Sequence, residues 1–365
     1  MRKIVAAAAT LAVVSTLGTT AAYAAKPGSI GYLSDHTSLG VKIYSDMSYI
    51  QKKSDGQSVD PTGYGFDVKR GYVTLDTAFN QIWSVRVRTD FHYCGACGAT
   101  SLYFKNIYAE AHLDHGMFLK IGEADMPWIP HMEGLYGYRY VENVLIDAYK
   151  FGNSADWGLH LGGKENRLNW QVSLVSGGGY KHPGRSKGMD LAGRLDYRAV
   201  GGLHIVLGAY TGKLGKDQQT APANNTASRW DLAAVYEGNN WNAGVSYFHA
   251  KDWNNVTTPY TTSADGYMAF GSYNFSPKWG VFARYDYLKP CKDLTSAQNA
   301  SCYSDTKEHY YNAGIQYIAT KQIRFAFVYK YEKVKNGSIA TSNGTIGGTT
   351  SGKYQEYGIW MQAAF

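Results

Sequence analysis

The sequence predicts an all-β chain, a transmembrane antiparallel β-barrel of about 16 strands with one loop folded inward as a constriction. Three observations carry this. Apolar side chains recur at every second position in segments of about ten residues, and the two-residue period of a strand then gives one apolar and one mixed face. Composition agrees: 31 Tyr, 13 Phe and 41 Gly against 9 Pro supply β-formers and turn residues. Finally, no segment after the amino terminus approaches the roughly 20 consecutive apolar residues that a membrane helix requires, and only helices and closed sheets satisfy every backbone group inside lipid.

Residues 1–24 read as a secretory signal peptide. Arg2 and Lys3 precede an apolar run too short to span a bilayer, and Ala22-Tyr23-Ala24 fits an A-x-A cleavage site. Residues 25–365 contain no Pro-, Ser- or charge-rich linker and read as one barrel domain. The first strand spans 39–50, with Leu39, Val41 and Ile43 opposite Lys42, Tyr44, Asp46 and Ser48. The second and third, 66–77 and 82–92, form a hairpin with a tight turn at Phe79-Asn80-Gln81. Strands at 102–113 and 117–123 meet at Asp114-His115-Gly116, where Gly permits a positive φ. The pairs 157–163 with 169–175, 191–197 with 204–210, 230–236 with 241–249, and 267–275 with 281–287 repeat the scheme. Strands at 310–318, 323–331 and 354–365 complete it, the last alternating through Tyr357, Ile359, Met361, Ala363 and Phe365.

Connections alternate in length. The short set, 164–167, 238–240, 276–278 and 319–322, belongs on the periplasmic side, and the long polar set, 176–189, 213–228, 252–265, 290–307 and 336–352, outside the cell. One long connection, 125–156, mixes aromatic and charged residues, among them Trp128, Glu133, Tyr136, Arg139, Glu142 and Asp147. A loop of this length in a compact protein is functional or disordered, and its aromatic content argues for packing into the lumen. A cap or short helix on the rim is the competing arrangement.

A terminal Phe resembles the closing strand of Gram-negative outer-membrane barrels. More specifically, the segments 66–75 (FDVKRGYVTL), 119–128 (LKIGEADMPW), 156–161 (DWGLHL) and 188–197 (GMDLAGRLDY) resemble, in this order, motifs of the phosphate-selective (O/P-type) porin family. That resemblance implies a sixteen-stranded outer-membrane channel, commonly a homotrimer, that passes small hydrophilic solutes by diffusion. It departs from the family in one respect: residues 125–154 hold Arg139 and Lys150 beside Asp125, Glu133, Glu142 and Asp147 instead of a dense Arg and Lys ladder.

With the apolar strand faces toward lipid, Arg86, Arg88, Arg194, Arg284, Arg324 and Lys330 fall inside, with Asp90, Glu110, Asp196, Asp286 and Glu356 as counterweights. Fixed guanidinium donors and opposed rows of charge favour small anions modestly, because a wide pore leaves ions hydrated and screened over about 8 to 10 Å. The competing reading is that these Arg–carboxylate pairs simply brace the wall. The formal charge is +7, or +5 once Arg2 and Lys3 leave with the leader, and the cations are scattered, which gives no footprint for nucleic acid.

Four cysteines lie in expected loops, Cys94 and Cys97 in one, Cys291 and Cys302 in another. Three pairings exist, and a bridge within each loop is the simplest for an exported chain. Cys94-Gly95-Ala96-Cys97 also has redox and metal spacing, but no second C-x-x-C or His pair supports it, so neither a metal nor another cofactor is expected. Nothing resembles a G-x-S-x-G elbow, an H-E-x-x-H helix or a phosphate loop, and pairs such as Asp90 with His92 follow from alternation alone. No catalytic residue is assigned. The competing classes are a non-conducting or adhesin-type barrel and, more remotely, an outer-membrane hydrolase.

Overall fold

The computed structural model describes residues 35–94, 99–253, 255–294 and 302–365. The leader at 1–24 and Cys97 lie outside the described residues. Sixteen antiparallel strands form the wall: β1 (Thr37–Ser54), β2 (Gly63–Ala78), β3 (Trp83–Cys94), β4 (Ala99–His112), β5 (Met117–Asp125), β6 (Ala155–Glu165), β7 (Leu168–Val175) and β8 (Asp190–Arg198). The second half continues with β9 (Leu203–Gly212), β10 (Ala227–Glu237), β11 (Trp241–Lys251), β12 (Ser263–Asn274), β13 (Trp279–Lys289), β14 (Cys302–Ile318), β15 (Ile323–Thr341) and β16 (Ser351–Ala364). Each strand pairs with its chain neighbour, and β1 pairs with β16 over Lys42↔Ala364 to Ser54↔Gly352, which closes the cylinder.

Burial follows the expected period of two. Along β13, Trp279, Val281 and Ala283 are exposed whereas Gly280, Phe282, Arg284, Asp286 and Leu288 are buried. The exposed set across the wall is apolar, for example Leu159, Leu161, Val172, Leu174, Leu195, Leu207, Val245, Ile315 and Phe327. Closing the sheet leaves no free edge strand, which is what lets apolar strands be exposed without leaving an unpaired edge. Aromatic rings run outward in a row from strand to strand: Trp230 to Tyr247 at 4.9 Å, Tyr247 to Tyr267 at 4.7 Å, and Tyr285 to Tyr311 at 4.9 Å. No helix among the described residues is long and apolar enough to cross a membrane.

Two connections differ from the sequence expectation. Residues 336–352 are not an irregular loop: β15 runs on to Thr341 and pairs with Gly344–Gly347, placing Ile339 opposite Ile346. Both isoleucines are buried, and that cross-strand apolar pair extends the ladder where Gly, Ser and Thr suggested a coil. Likewise β14 starts at Cys302, eight residues before the expected 310, and Cys302 is bonded to Cys291 with Cα atoms 6.1 Å apart. The turn after β1 is stitched to the opposite end of the chain, because Asp55 accepts hydrogen bonds from the backbone N–H groups of Thr349, Thr350 and Ser351 and from both threonine hydroxyls. Those donors, Ser351 N–H foremost, hold its carboxyl far below the usual range.

Candidate functional site

Residues 126–154 leave β5 through Met126-Pro127-Trp128 and form α1 (Ile129–Tyr136) and α2 (Leu145–Ala148). Pro130 sits in the first turn of α1, where its missing N–H costs nothing, and Gly137 ends the helix at φ 79°, a left-handed conformation that a Cβ disfavours. Trp128 enters the wall at Gly208 on β9. A Cβ at position 208 would lie 2.5 Å from the indole ring, so only glycine leaves room for it.

The segment is held by the buried faces of many strands. Tyr138 stacks on Phe282 at 4.1 Å, Tyr136 meets Phe270 edge-on at 5.3 Å, and Phe151 lies 5.1 Å from Phe248. Such pairs add about 0.5–1.5 kcal/mol each beyond the apolar area they bury. Polar ties accompany them: Asn242 donates to the Leu135 carbonyl at 2.6 Å, Trp253 to Lys150 at 3.0 Å, and the Arg229 guanidinium to the Phe151 carbonyl. His131 Nε2 lies 3.1 Å from Asp196, which also faces His204 Nδ1 at 3.0 Å.

The sequence-derived cations fall into distinct settings. Arg284 is fully buried, ion-paired with Asp286, donating to the Asn143 carbonyl and lying 5.1 Å from the Tyr136 ring. Its guanidinium has no accessible surface for a solute; it braces the segment. Lys330 is 1% exposed and bridges Glu142 at 3.3 Å and Glu356 at 3.2 Å. Arg324 bonds Gln362 at 2.7 Å and covers Tyr140 at 4.6 Å. Arg86 is chelated by Asp76 at 2.6 and 3.0 Å, while Arg88 bonds Thr74 and Asn106 at 3.0 and 3.2 Å. Arg194 bonds Asn169 at 2.9 Å, and its Nε and Nη1 have no hydrogen-bond partner. The structure therefore gathers Arg284, Arg324 and Lys330 against the segment and leaves Arg86, Arg88 and Arg194 on the wall.

Within the segment, Trp128 and Tyr136 are buried anchors, whereas Arg139 pairs with Glu133 at 2.5 Å and lies 3.9 Å from Asp147. Burial raises the Glu133 carboxyl, and Arg139 does not reverse the shift. Glu142 behaves oppositely. Burial pushes its carboxyl up, but Lys330, Arg284 and the Ser342 hydroxyl at 2.8 Å hold it below the usual range.

Beside the segment lies a cavity of about 630 Å³. Lys69, Arg70, Lys105, Arg139, Lys150, Lys181, Lys216 and Lys330 line it, against Asp67, Glu142 and Asp147. Eight cations face three carboxylates. Lys105, Lys181, Lys216 and the ring of Tyr180 were not singled out from sequence: Lys105 sits within an ordinary strand pattern and the others in long polar loops, so only the alternation that turns Lys105 inward was readable. Among the described residues no group of three or more His, Cys, Asp or Glu is arranged to hold a metal.

No protein-family profile and no curated protein matches the chain. Solved structures do. An anion-selective porin from Comamonas acidovorans superposes with a TM-score of 0.64 at 13% identity, over 90% of this chain and 99% of that one. The outer-membrane channel DcaP of Acinetobacter baumannii gives 0.64 at 13%, over 90% and 97%. The trimer form of OmpT, an outer-membrane protein of Vibrio cholerae, gives 0.57 at 13%, over 90% and 99%. At such identities the likeness establishes the porin-type barrel fold.

Proposed function

We propose that this chain is an outer-membrane channel through which small hydrophilic solutes diffuse, with a modest preference for anions. The observation that carries the reading is the cavity of about 630 Å³ in which eight cations meet three carboxylates. An apolar exposed face that carries a row of aromatic rings suits lipid contact. On this reading residues 126–154 lie inside the barrel as its constriction, which their contacts with Phe248, Phe270, Phe282 and Arg284 support. Residues 1–24 direct export and are removed. Assembly as a homotrimer is proposed by analogy with the trimeric OmpT form. Kinship with the O/P-type porins rests on the motifs at 66–75, 119–128, 156–161 and 188–197.

Planar-bilayer recording of the refolded protein tests the reading: stepwise KCl conductance, with a reversal potential shifted toward chloride, is expected. The many buried residues that pack 126–154 against the wall favour one competitor, a plugged and non-conducting barrel. Absence of conductance steps from correctly folded protein decides for it.

A further inference from the structure

The outer face of the wall changes character along one sector, from β13 through β16 to β1. Toward the short turns its exposed side chains are apolar, Ile315, Phe327 and Ile359 among them, and beyond these comes a belt of Tyr287, Tyr311, Tyr329, Tyr357 and Tyr49. The belt ends in lysine. Lys289, Lys307, Lys333, Lys335, Lys353 and Lys53 follow on the same face, exposed or half-buried, at the end of the barrel that carries the long connections. Register sets them against one another: Lys307 lies opposite Lys335, Lys333 opposite Lys353, and Lys353 opposite Lys53. Like charges directly opposite destabilise an antiparallel pair, and here three such pairs adjoin. Two carboxylates border the patch. Asp265 on β12 is taken by Lys292 and His249, and Asp305 accepts from the Asn336 amide at 2.9 Å. Among the described residues none of the six lysines has a carboxylate within 4 Å.

Height on the wall indicates what meets these charges. Ile323, at the short-turn end of β15, and Lys333 are ten residues apart on one strand. That is roughly 33 Å along the strand and, at a barrel tilt of about 35–45°, a rise of about 25 Å, which matches the apolar band of a membrane barrel. The ammoniums stand at the border of that band, just past tyrosines of the kind that gather at membrane–water interfaces. We infer that the sector from β13 to β1 is a docking face for phosphate-bearing lipid headgroups, and that it meets lipid rather than a second copy of the chain. Charge complementarity and the column beneath it select this occupant. A soluble anion would use the lysines alone, whereas a lipid sets its phosphate among them and its acyl chains against Phe327 and Ile359. The inference rests on the outer-membrane placement proposed above and is independent of whether the barrel conducts.

Native mass spectrometry of the barrel in a neutral detergent, after incubation with cardiolipin or phosphatidylcholine, tests the face. The parent should retain cardiolipin and release phosphatidylcholine; equal retention overturns the inference. Each lysine beside an anionic lipid surface is worth roughly a fivefold gain in affinity, so K53Q/K333Q/K353Q should weaken cardiolipin binding about a hundredfold. K53R/K333R/K353R keeps the charge and should keep the binding. K164Q/K278Q/K321Q removes as many exposed lysines from the opposite rim and should bind as the parent does. Equal losses in the two glutamine sets, unchanged binding in both, or displacement of cardiolipin by inorganic phosphate overturn the inference, with folded barrels verified by gel mobility before and after heating. A single substitution, Lys353→Cys, tests the sector without the triple change: a bifunctional maleimide should not join two copies in cardiolipin vesicles, and joined copies would place a subunit contact here instead. Cardiolipin preference without bilayer conductance upholds this face and overturns the channel. Stepwise conductance without that preference does the reverse.

Discussion

Lys330 is the sharpest place to disturb the segment, because its ammonium joins three parts of the chain: Glu142 of residues 126–154, Glu356 of β16 and β15 itself. All three side chains are 5% exposed or less, so solvent screening gives little relief. Replacing Lys330 by Met strands two buried carboxylates, a change that typically costs 3–5 kcal/mol. Lys69, 3.9 Å from Glu356, offsets part of this, so the lower end, about 3 kcal/mol, is appropriate. If that energy falls on docking of the segment, the ratio of docked to undocked forms drops roughly a hundredfold. Single-channel records of K330M should show larger mean conductance and more current noise than the parent. The double variant K330M/E142Q removes one stranded charge and should recover a substantial part of the loss. Unaltered conductance, noise and thermal unfolding in K330M would refute the reasoning. Acid should act on the same contact. Glu142 is held below its ordinary value of 4.5, so its contribution is complete above that pH and is lost only as the pH falls beneath it.

Three further outcomes are expected. Burial and the neighbouring Arg70 push the Lys181 ammonium down to about 8, so it is charged below that pH and neutral above; anion preference should fall between pH 7 and 9, and K181M should flatten the profile at the lower level. Gly208→Leu drives a side chain into the Trp128 ring and should raise current noise while the strand content measured by circular dichroism stays constant. Of the two arginines on β3, Arg86 is chelated by Asp76 at 2.6 and 3.0 Å whereas the carboxylate nearest Arg88, Asp125, stands 3.9 Å away, so R88Q should move the reversal potential more than R86Q; equal shifts would contradict this.

The wall was readable because each strand advertises its outer face. Trp83, Val85 and Val87 alternate with Arg86 and Arg88, and only one assignment puts the charges away from lipid. Ends were harder to read where local composition misled, as in 336–347, where Gly and Thr conceal a hairpin held by Ile339 and Ile346. Phe248, Phe270 and Phe282 mark the deeper limit. An alternation argument assigns the second face to water, yet these rings are buried against residues 126–154, more than a hundred positions away in two cases. Which cations are sealed was equally illegible, since Arg284 and Arg88 both alternate with apolar residues on their strands, yet Arg284 is closed over by the Asn143 carbonyl and the Tyr136 ring whereas Arg88 stays 24% exposed, 3.9 Å from Asp125.

The seam between the first and last strands is fastened at both extremities. At one end Val41 and Phe365 exchange backbone hydrogen bonds of 2.7 and 2.9 Å, and at the other Asp55 grips the stretch 349–351. A slip of one residue would turn every outward side chain of β16 inward and would break both fastenings together. The two clasps act as paired locating pins, so that when the ribbon curls round and its ends meet, a single alignment latches and misaligned closures stay open to correction.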